Sequence, residues 1–402
     1  MASTPLPRGL ATLTVGKIAT NTVLRSPYVF LTPIAAHLHT TVGHLGFLLG
    51  SAELVGLSTA FIGKGLDRGR YRFWIATGAC STAAGAFAMA ALHTPLGFAV
   101  GFVFAALGVA LYTTSTHAWL GRSVPYAQRG RAIGMYETSW SAALLVGVPA
   151  VGALLSLSRW WSPYALLGAL CMILAVVVRR AMPVTVPMPM PVRVVRDDAA
   201  NAASGSVSCR RVVLVLLSSF SITFAAMSVF AVYGSWLQDR FGLSTRTLGV
   251  FSISIGVAEL VASSASARYT DRWGKAVAVR RGALVMAVGI IGVLSASGAR
   301  LVAVGALVVV FLGFEFAFVS QLSIVSEVGA TRAGAVLAVD HALSTMSRAS
   351  AAAAATGLYD ARGIGPPALV ALGCVLLCLT SVTTIGAQER SSNRFRAHAD
   401  DQ

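Results

Sequence analysis

Segments of about twenty apolar residues recur along this chain, and a polar connection separates each segment from the next. Hydrophobic residues make up 56% of the 402 residues and charged residues only 11%, whereas soluble domains are about one quarter charged. A helix of about twenty residues crosses the hydrocarbon core of a bilayer. The pattern therefore predicts an all-α membrane protein with the lipid bilayer as its solvent.

Twelve apolar segments are present, and we number them spans 1 to 12. They cover residues 10–37, 42–63, 73–92, 96–120, 131–156, 160–178, 212–237, 246–267, 277–297, 300–322, 331–357 and 366–387. The one long connection, residues 179–211, is rich in proline, small residues and charge, which is typical of a linker. We therefore expect an N-terminal six-helix bundle (1–180), a cytoplasmic linker (181–211) and a C-terminal six-helix bundle (212–402).

The chain is strongly basic, with 31 Lys and Arg against 15 Asp and Glu. These cations do not form the basic stripe with interleaved aromatics that nucleic-acid binding uses, so we expect no nucleic-acid partner. If both termini lie inside, 23 of the cations fall in inner connections and five in outer ones. Because cytoplasmic loops carry the excess of Lys and Arg, we expect cytoplasmic termini. The excess of arginine over lysine and the abundance of alanine suggest a GC-rich bacterium, hence its cytoplasmic (inner) membrane.

The two halves of the chain are similar in sequence. YAQRGRAIGMYE (126–137) and GATRAGAVLAVD (329–340) align at an offset of 203 residues, which pairs Glu137 with Asp340. LGFLLGSAELV and LGVFSISIGVAELV precede loops that contain Asp-Arg in both halves. Many transporters are built from such repeats, with the substrate site between them near the membrane midplane.

The two Asp-Arg loops resemble the signature loop of the major facilitator superfamily, which follows the second helix of each half. The first copy lacks one residue before its last glycine, and the second has Ala267 in place of the leading glycine. The matching residues are Gly63, Asp67, Arg68, Gly69 and Arg70 in the first copy and Asp271, Arg272, Gly274 and Lys275 in the second. The resemblance implies twelve helices in two pseudo-symmetric bundles and a gate role for these loops.

Span 5 carries a second, degenerate motif, formed by Gly147, Pro149 and Gly152. It resembles the glycine-proline motif of drug:proton antiporters in the same superfamily. The alternative is a proline kink with small residues that allow close helix packing. The arginine that such antiporters carry in the fourth helix is not evident, and Tyr112 and His117 lie in span 4 instead.

Ionisable residues inside the spans are candidates for function, because inserting each one at mid-bilayer costs about 2.5–3.5 kcal/mol of free energy. As proton-coupling candidates we take Glu53, Glu137, Glu259 and Asp340, and we favour the last two. Glu137 lies near the cytoplasmic end of span 5, and we expect Arg25 to pair with Glu53. As substrate-cavity candidates we take Arg25, Tyr28, Tyr112, Trp140, Glu315, His341 and Arg348.

The resemblance implies a secondary active transporter that works by alternating access, and the leading interpretation is proton-coupled efflux of a small amphipathic compound. The alternative is an importer or symporter for a sugar, organic acid or amino acid. We find no signature of an enzyme or of ATP binding, and the five cysteines lack metal-ligand spacing. We therefore expect no catalytic activity, cofactor or metal, and a monomer whose partners are its substrate, protons and lipid.

Overall fold

The computed structural model describes residues 9–62, 65–66, 68–124, 126–182, 209–296, 298–328 and 333–400. Within this part of the chain every regular element is a helix, as the apolar segments predict. The helices follow the predicted spans in order, and the largest change is at the end of span 12, where the helix continues to Asp400.

The first six spans begin and end close to their predicted limits. Spans 1, 2 and 5 consist of more than one helical segment. In order, the helices are Leu10–Val29 and Leu31–His37; Val42–Glu53 with the 3-10 helix Leu54–Ile62; Tyr71–Ala91; Pro95–Ser123; Tyr126–Ala142, the π-helical turn Ala143–Gly147 and Val148–Leu157; and Ser162–Ala181.

Among the last six spans, only span 7 is divided. The helices are Cys209–Phe230 and Tyr233–Phe241; Thr245–Trp273; Lys275–Ser295; Arg300–Val328; Ala333–Arg362; and Gly365–Asp400.

Nine helical segments of the described residues are long and apolar enough to cross a membrane. The three predicted spans outside this set are spans 1, 2 and 11, which are helical as well. Spans 1 and 11 contain Lys17, Arg25 and Asp340, which lower the hydropathy of these two spans. Span 2 is divided into an α-helix of 12 residues and a 3-10 helix, so that neither segment alone is long enough. The architecture is that of a multi-pass, all-helical membrane protein.

The helix of span 1 breaks at Phe30, whose φ of −109° and ψ of 32° lie outside the helical range. Pro27 and Pro33 flank this residue, and proline removes a backbone donor from the helix. Span 7 breaks at the matching place, between Phe230 and Tyr233, although no proline is present there. The shared break agrees with the 203-residue repeat.

The chain divides into two compact units that differ from its two sequence halves. Unit 1 comprises the described residues of Met1–Val194 together with Ala231–Val257. Unit 2 comprises the described residues of Val195–Phe230 and of Ala258–Gln402. The end of span 7 and the beginning of span 8 thus belong to the same unit as the first six spans, while the rest of these two spans belongs to unit 2. The predicted division at residues 181–211 stays a prediction.

Glycines bring neighbouring helices into backbone contact in each unit. A Cβ atom on Gly78 of span 3 would lie 2.6 Å from the Tyr112 nitrogen of span 4. In unit 2, a Cβ on Gly282 of span 9 would lie 2.7 Å from the Ala317 nitrogen of span 10. Small residues are the usual means by which membrane helices approach closely. Spans 3 and 4, and spans 9 and 10, therefore form tightly packed pairs.

Candidate functional site

Both signature loops turn at a glycine with positive φ. Gly69 has a φ of 74° and Gly274 a φ of 83°, a region that other residues rarely adopt. Gly69 also donates its backbone N–H to the Leu66 carbonyl at 2.9 Å. The sequence copies therefore form equivalent turns, even though the first copy is one residue shorter.

The charged residues of these loops lie at the surface. Arg68, Arg70, Asp271 and Arg272 are exposed, and Lys275 forms an ion pair with Glu327 at the end of span 10. Gly63 and Asp67 lie outside the described residues. The gate role of the loops stays a prediction.

Spans 1, 4 and 5 bring three ionisable groups together in unit 1. The Lys17 ammonium donates to both Glu137 carboxylate oxygens at 2.8 and 2.9 Å, and His117 Nε2 lies 2.7 Å from Glu137 Oε1. The Lys17 nitrogen also lies 4.2 Å from the centre of the Tyr136 ring. Glu137, near the start of span 5, thus contacts two basic partners.

Farther along span 1, Arg25 and Tyr28 make separate contacts. Arg25 donates to the Trp140 carbonyl at 3.0 Å, and its guanidinium carbon lies 4.3 Å from the centre of the Trp140 ring. The Tyr28 hydroxyl donates to Glu53 Oε1 at 2.7 Å. Arg25 and Glu53 are both buried, and their expected pairing stays a prediction.

Tyr112 lies in the packed interior of unit 1. Its side chain is fully buried, and its hydroxyl donates to the Leu13 carbonyl at 3.0 Å. This hydrogen bond joins span 4 to span 1. The contact of Tyr112 with substrate stays a prediction.

The span 5 motif provides close helix contacts in unit 1. A Cβ on Gly147 would overlap the Thr22 hydroxyl of span 1, and a Cβ on Gly152 would lie 2.8 Å from the Thr245 carbonyl oxygen of span 8. Pro149 follows the π-helical turn at the start of the helix Val148–Leu157. These contacts are those that the alternative interpretation, a proline kink with small packing residues, describes.

Unit 2 buries carboxyl groups. Glu259 is 1% exposed, Glu315 8% and Asp340 4%. Ser263 donates to Glu315 Oε1 at 2.5 Å. On span 11 beyond Asp340, His341 is exposed and Arg348 is half-buried.

Several polar contacts of the two units could not be predicted from the sequence. Lys17 and His117 were not expected to bind Glu137, because residues 17, 117 and 137 are far apart in sequence. Gln321 of span 10 donates to the Ser218 hydroxyl of span 7 at 2.7 Å, and it too was overlooked. One available signal was the four-residue spacing of Glu259 and Ser263, which places both on one helix face.

Comparisons with known proteins agree with this architecture. YceJ of Bacillus subtilis (strain 168), an uncharacterised MFS-type transporter, is 23% identical over 279 residues, which is 67% of this chain and 68% of YceJ. YwfA of the same organism, described in the same words, is 23% identical over 199 residues, which is 50% of this chain and 47% of YwfA.

Solved structures show the same fold. A bacterial homologue of the human lysosomal transporter Spinster, in an inward-facing and unoccupied conformation, has a TM-score of 0.71 at 14% identity and covers 94% of this chain and 96% of its own. A D-xylose–proton symporter has a TM-score of 0.74 at 16% identity and covers 94% and 95%. The sequence model of the Major Facilitator Superfamily matches residues 14–352. With a match over most of its length, the chain belongs to the Major Facilitator Superfamily.

Proposed function

We propose that this protein is a secondary active transporter that works by alternating access and exports a small amphipathic compound in exchange for protons. It acts in the cytoplasmic membrane of a bacterium, with both termini inside. The sequence contains no nucleotide-binding motif, so the work of transport is assigned to an ion gradient.

The observation that carries this proposal is the set of buried acids in unit 2. Among the described residues, the buried charged side chains of this unit are Glu259, Glu315 and Asp340. In unit 1 the buried set contains two cations, Lys17 and Arg25, and one acid, Glu53. A carboxylate in apolar surroundings is costly, and a neutral carboxylic acid is much less so. An excess of buried acids is therefore suited to taking up and releasing protons.

The four proton-coupling candidates differ in their contacts and burial. Glu137 is paired with Lys17 and His117, so its negative charge is already compensated. Glu53 accepts a hydrogen bond from Tyr28 and shares unit 1 with the buried Arg25. Glu259 and Asp340 are 1% and 4% exposed, and at such depth a neutral carboxylic acid is much less costly than a carboxylate. They are the proposed coupling sites.

The proposed direction depends on weaker features. The span 5 motif and the pattern of Asn21, Arg25 and Pro27 in span 1 resemble efflux members of the superfamily. The alternative is import by symport with a sugar, organic acid or amino acid, and the fold shared with a D-xylose–proton symporter fits this alternative equally well.

The test is transport by inverted membrane vesicles under an imposed pH gradient, run against a panel of lipophilic compounds and nutrients. We expect uptake of at least one lipophilic compound when the vesicle interior is acidic, and expression should raise the tolerance of a drug-sensitive host to it. Accumulation of a nutrient by intact cells would support the alternative instead. A transport rate that does not change with the pH gradient would refute proton coupling.

Glu259→Gln and Asp340→Asn should each abolish gradient-driven transport, because neither amide takes up a proton in the working range. Exchange of labelled for unlabelled substrate should persist, since it needs no net proton movement. Asp360→Asn, in the last turn of span 11, is the matched control and should transport normally. If both variants concentrate substrate as the wild type does, neither acid carries the coupling proton.

A further inference from the structure

Spans 8 and 10 share a column of polar side chains along the inner half of unit 2. On span 8 its members are spaced by four, three and four residues, so that they lie on one helix face. The column consists of Glu259, Ser263, Ser266 and Thr270 on span 8 and of Glu315, Ser320 and Glu327 on span 10.

Hydrogen bonds join the two helices at successive levels of this column. Ser263 donates to Glu315 at 2.5 Å. The Ser320 hydroxyl lies 2.9 Å from both Ser266 and Thr270, whose hydroxyls are 3.0 Å apart. The numbers of the partners differ by 50 to 54 at every level, so the two helices are parallel and in fixed register.

The hydroxyl groups at Ser266, Thr270 and Ser320 are closed to solvent, Ser263 is half-buried, and the column is open at its inner end. Ser266, Thr270 and Ser320 are 5% exposed or less. The rings of Tyr269 and Trp273 stack beside it, with their centres 4.9 Å apart. At the inner end Lys275 pairs with Glu327, whose side chain is 55% exposed. Along span 10, a buried hydroxyl group, Ser320, thus lies between the buried acid Glu315 and Glu327, an acid in contact with water.

We propose that this column is a proton pathway between Glu259 and the cytoplasmic end of unit 2, an inference that rests on the proposed proton coupling. A hydroxyl group both donates and accepts hydrogen bonds, so it can receive a proton on its oxygen while its own proton passes to the next acceptor. One O–H bond forms as another breaks, one proton enters and one leaves, and each hydroxyl group is unchanged. The final acceptor is the Glu327 carboxylate, which releases the proton to water.

The rise of an α-helix gives the distance along the helix axis between successive polar residues of the column. Glu259 and Ser263 are four residues apart, which is a rise of about 6 Å, and Glu315 and Ser320 are five apart, or about 7.5 Å. The long glutamate side chains together with bridging waters cover these gaps. Ser320 and Glu327 are seven residues apart, or about 10.5 Å, so a short chain of waters completes the path to Glu327. Glu315 thereby gains a specific role, as the relay between Ser263 and the hydroxyl group of Ser320.

The first experiment compares Ser320→Ala with Ser264→Ala in proteoliposomes. The Ser264 side chain is exposed and donates to the Leu260 carbonyl of its own helix, so it is the matched control. We expect Ser320→Ala to slow pH-driven transport several-fold, with substrate exchange unchanged, and Ser320→Thr to restore the rate because it keeps the hydroxyl group. Equal losses in driven transport and exchange would indicate a packing role and overturn the pathway.

A second measurement follows the pathway without transport. The carboxyl infrared band of Glu259, assigned by its loss in Glu259→Gln, is recorded in purified protein after a rapid pH jump. We expect Ser320→Ala and Glu315→Gln to slow the appearance of the band, and Ser264→Ala to leave its rate unchanged. Equal rates in all variants, or no titration of Glu259, would overturn the pathway. Wild-type transport could be independent of the pH gradient while the Glu259 band still appears more slowly in Ser320→Ala and Glu315→Gln. In that case the proposed function fails and the pathway stands.

Discussion

Lys17 and Glu137 form an ion pair, but the two side chains differ in burial. The lysine side chain is 4% exposed, and the glutamate side chain is 44% exposed. Loss of the glutamate would leave an ammonium group buried without its carboxylate. Loss of the lysine would leave a carboxylate that reaches water and still contacts His117. The two partners therefore contribute unequally to stability.

Glu137→Gln should lower the thermal stability of the purified protein more than Lys17→Met does. Breaking a fully buried pair costs about 3–5 kcal/mol, and the partial exposure of Glu137 reduces this figure here. The double variant Lys17→Met/Glu137→Leu should recover part of the loss, because it removes both charges. Equal melting temperatures for the two single variants would contradict this account.

Asp271→Asn should lower the transport rate while the amount of protein in the membrane stays normal. A carboxylate at a helix end can bind the N-terminus of a neighbouring helix, and a gate makes and breaks such a contact in each cycle. Arg280→Gln, which removes a nearby positive charge at the start of span 9, is the control, and Asp67→Asn tests the first loop in the same way. Wild-type rates in both aspartate variants would mean that the loops only set topology.

At the scale of helices, span 5 meets span 8 through small residues in unit 1. The Cα atoms at this contact belong to Pro149 and Gly152 on one side and Gly249 on the other, and a Cβ on Gly249 would lie 3.2 Å from Pro149. Any larger side chain at these glycines must push the two backbones apart.

Gly152→Val should therefore reduce folded protein and its melting temperature. Gly134→Ala is the control within the same span, because nothing lies within 4 Å of its added Cβ. Alanine is favoured over glycine in a helix interior by about 1 kcal/mol, so Gly134→Ala should be neutral or slightly stabilising. A normal melting temperature for Gly152→Val would show that this contact adds little.

Helix positions were predictable because lipid restricts a chain to a simple hydropathy pattern. Most span limits and the Asp-Arg loops follow from local sequence, although the last helix extends beyond its predicted end to Asp400. The repeat is visible when the two halves of the sequence are aligned. The break in span 7 did not, since no proline marks it. Neither did the binding of Lys17 and His117 to Glu137 or the hydroxyl groups around Ser320, because contacts between distant spans depend on how each helix is rotated.

At the scale of the whole molecule, the distribution of cations predicts which ends of the helices face the cytoplasm. Single cysteines placed in the linker, for example at Ser206, on a cysteine-free background should resist a membrane-impermeant thiol reagent in intact cells and react in inverted vesicles. A cysteine at Gly298, in the connection between spans 9 and 10, should show the opposite pattern. Labelling of the linker from outside would refute cytoplasmic termini.

The glycine contacts between spans 3 and 4, and between spans 9 and 10, also affect how the chain folds during its synthesis. The connections inside these pairs are short, with span 3 ending at Ala91 and span 4 beginning at Pro95, and span 9 ending at Ser295 and span 10 beginning at Arg300. Contacts between neighbours in sequence have a small loop-closure cost and form early. Each pair can therefore assemble during synthesis, as soon as its second helix enters the bilayer, and offer a finished surface to the spans that follow.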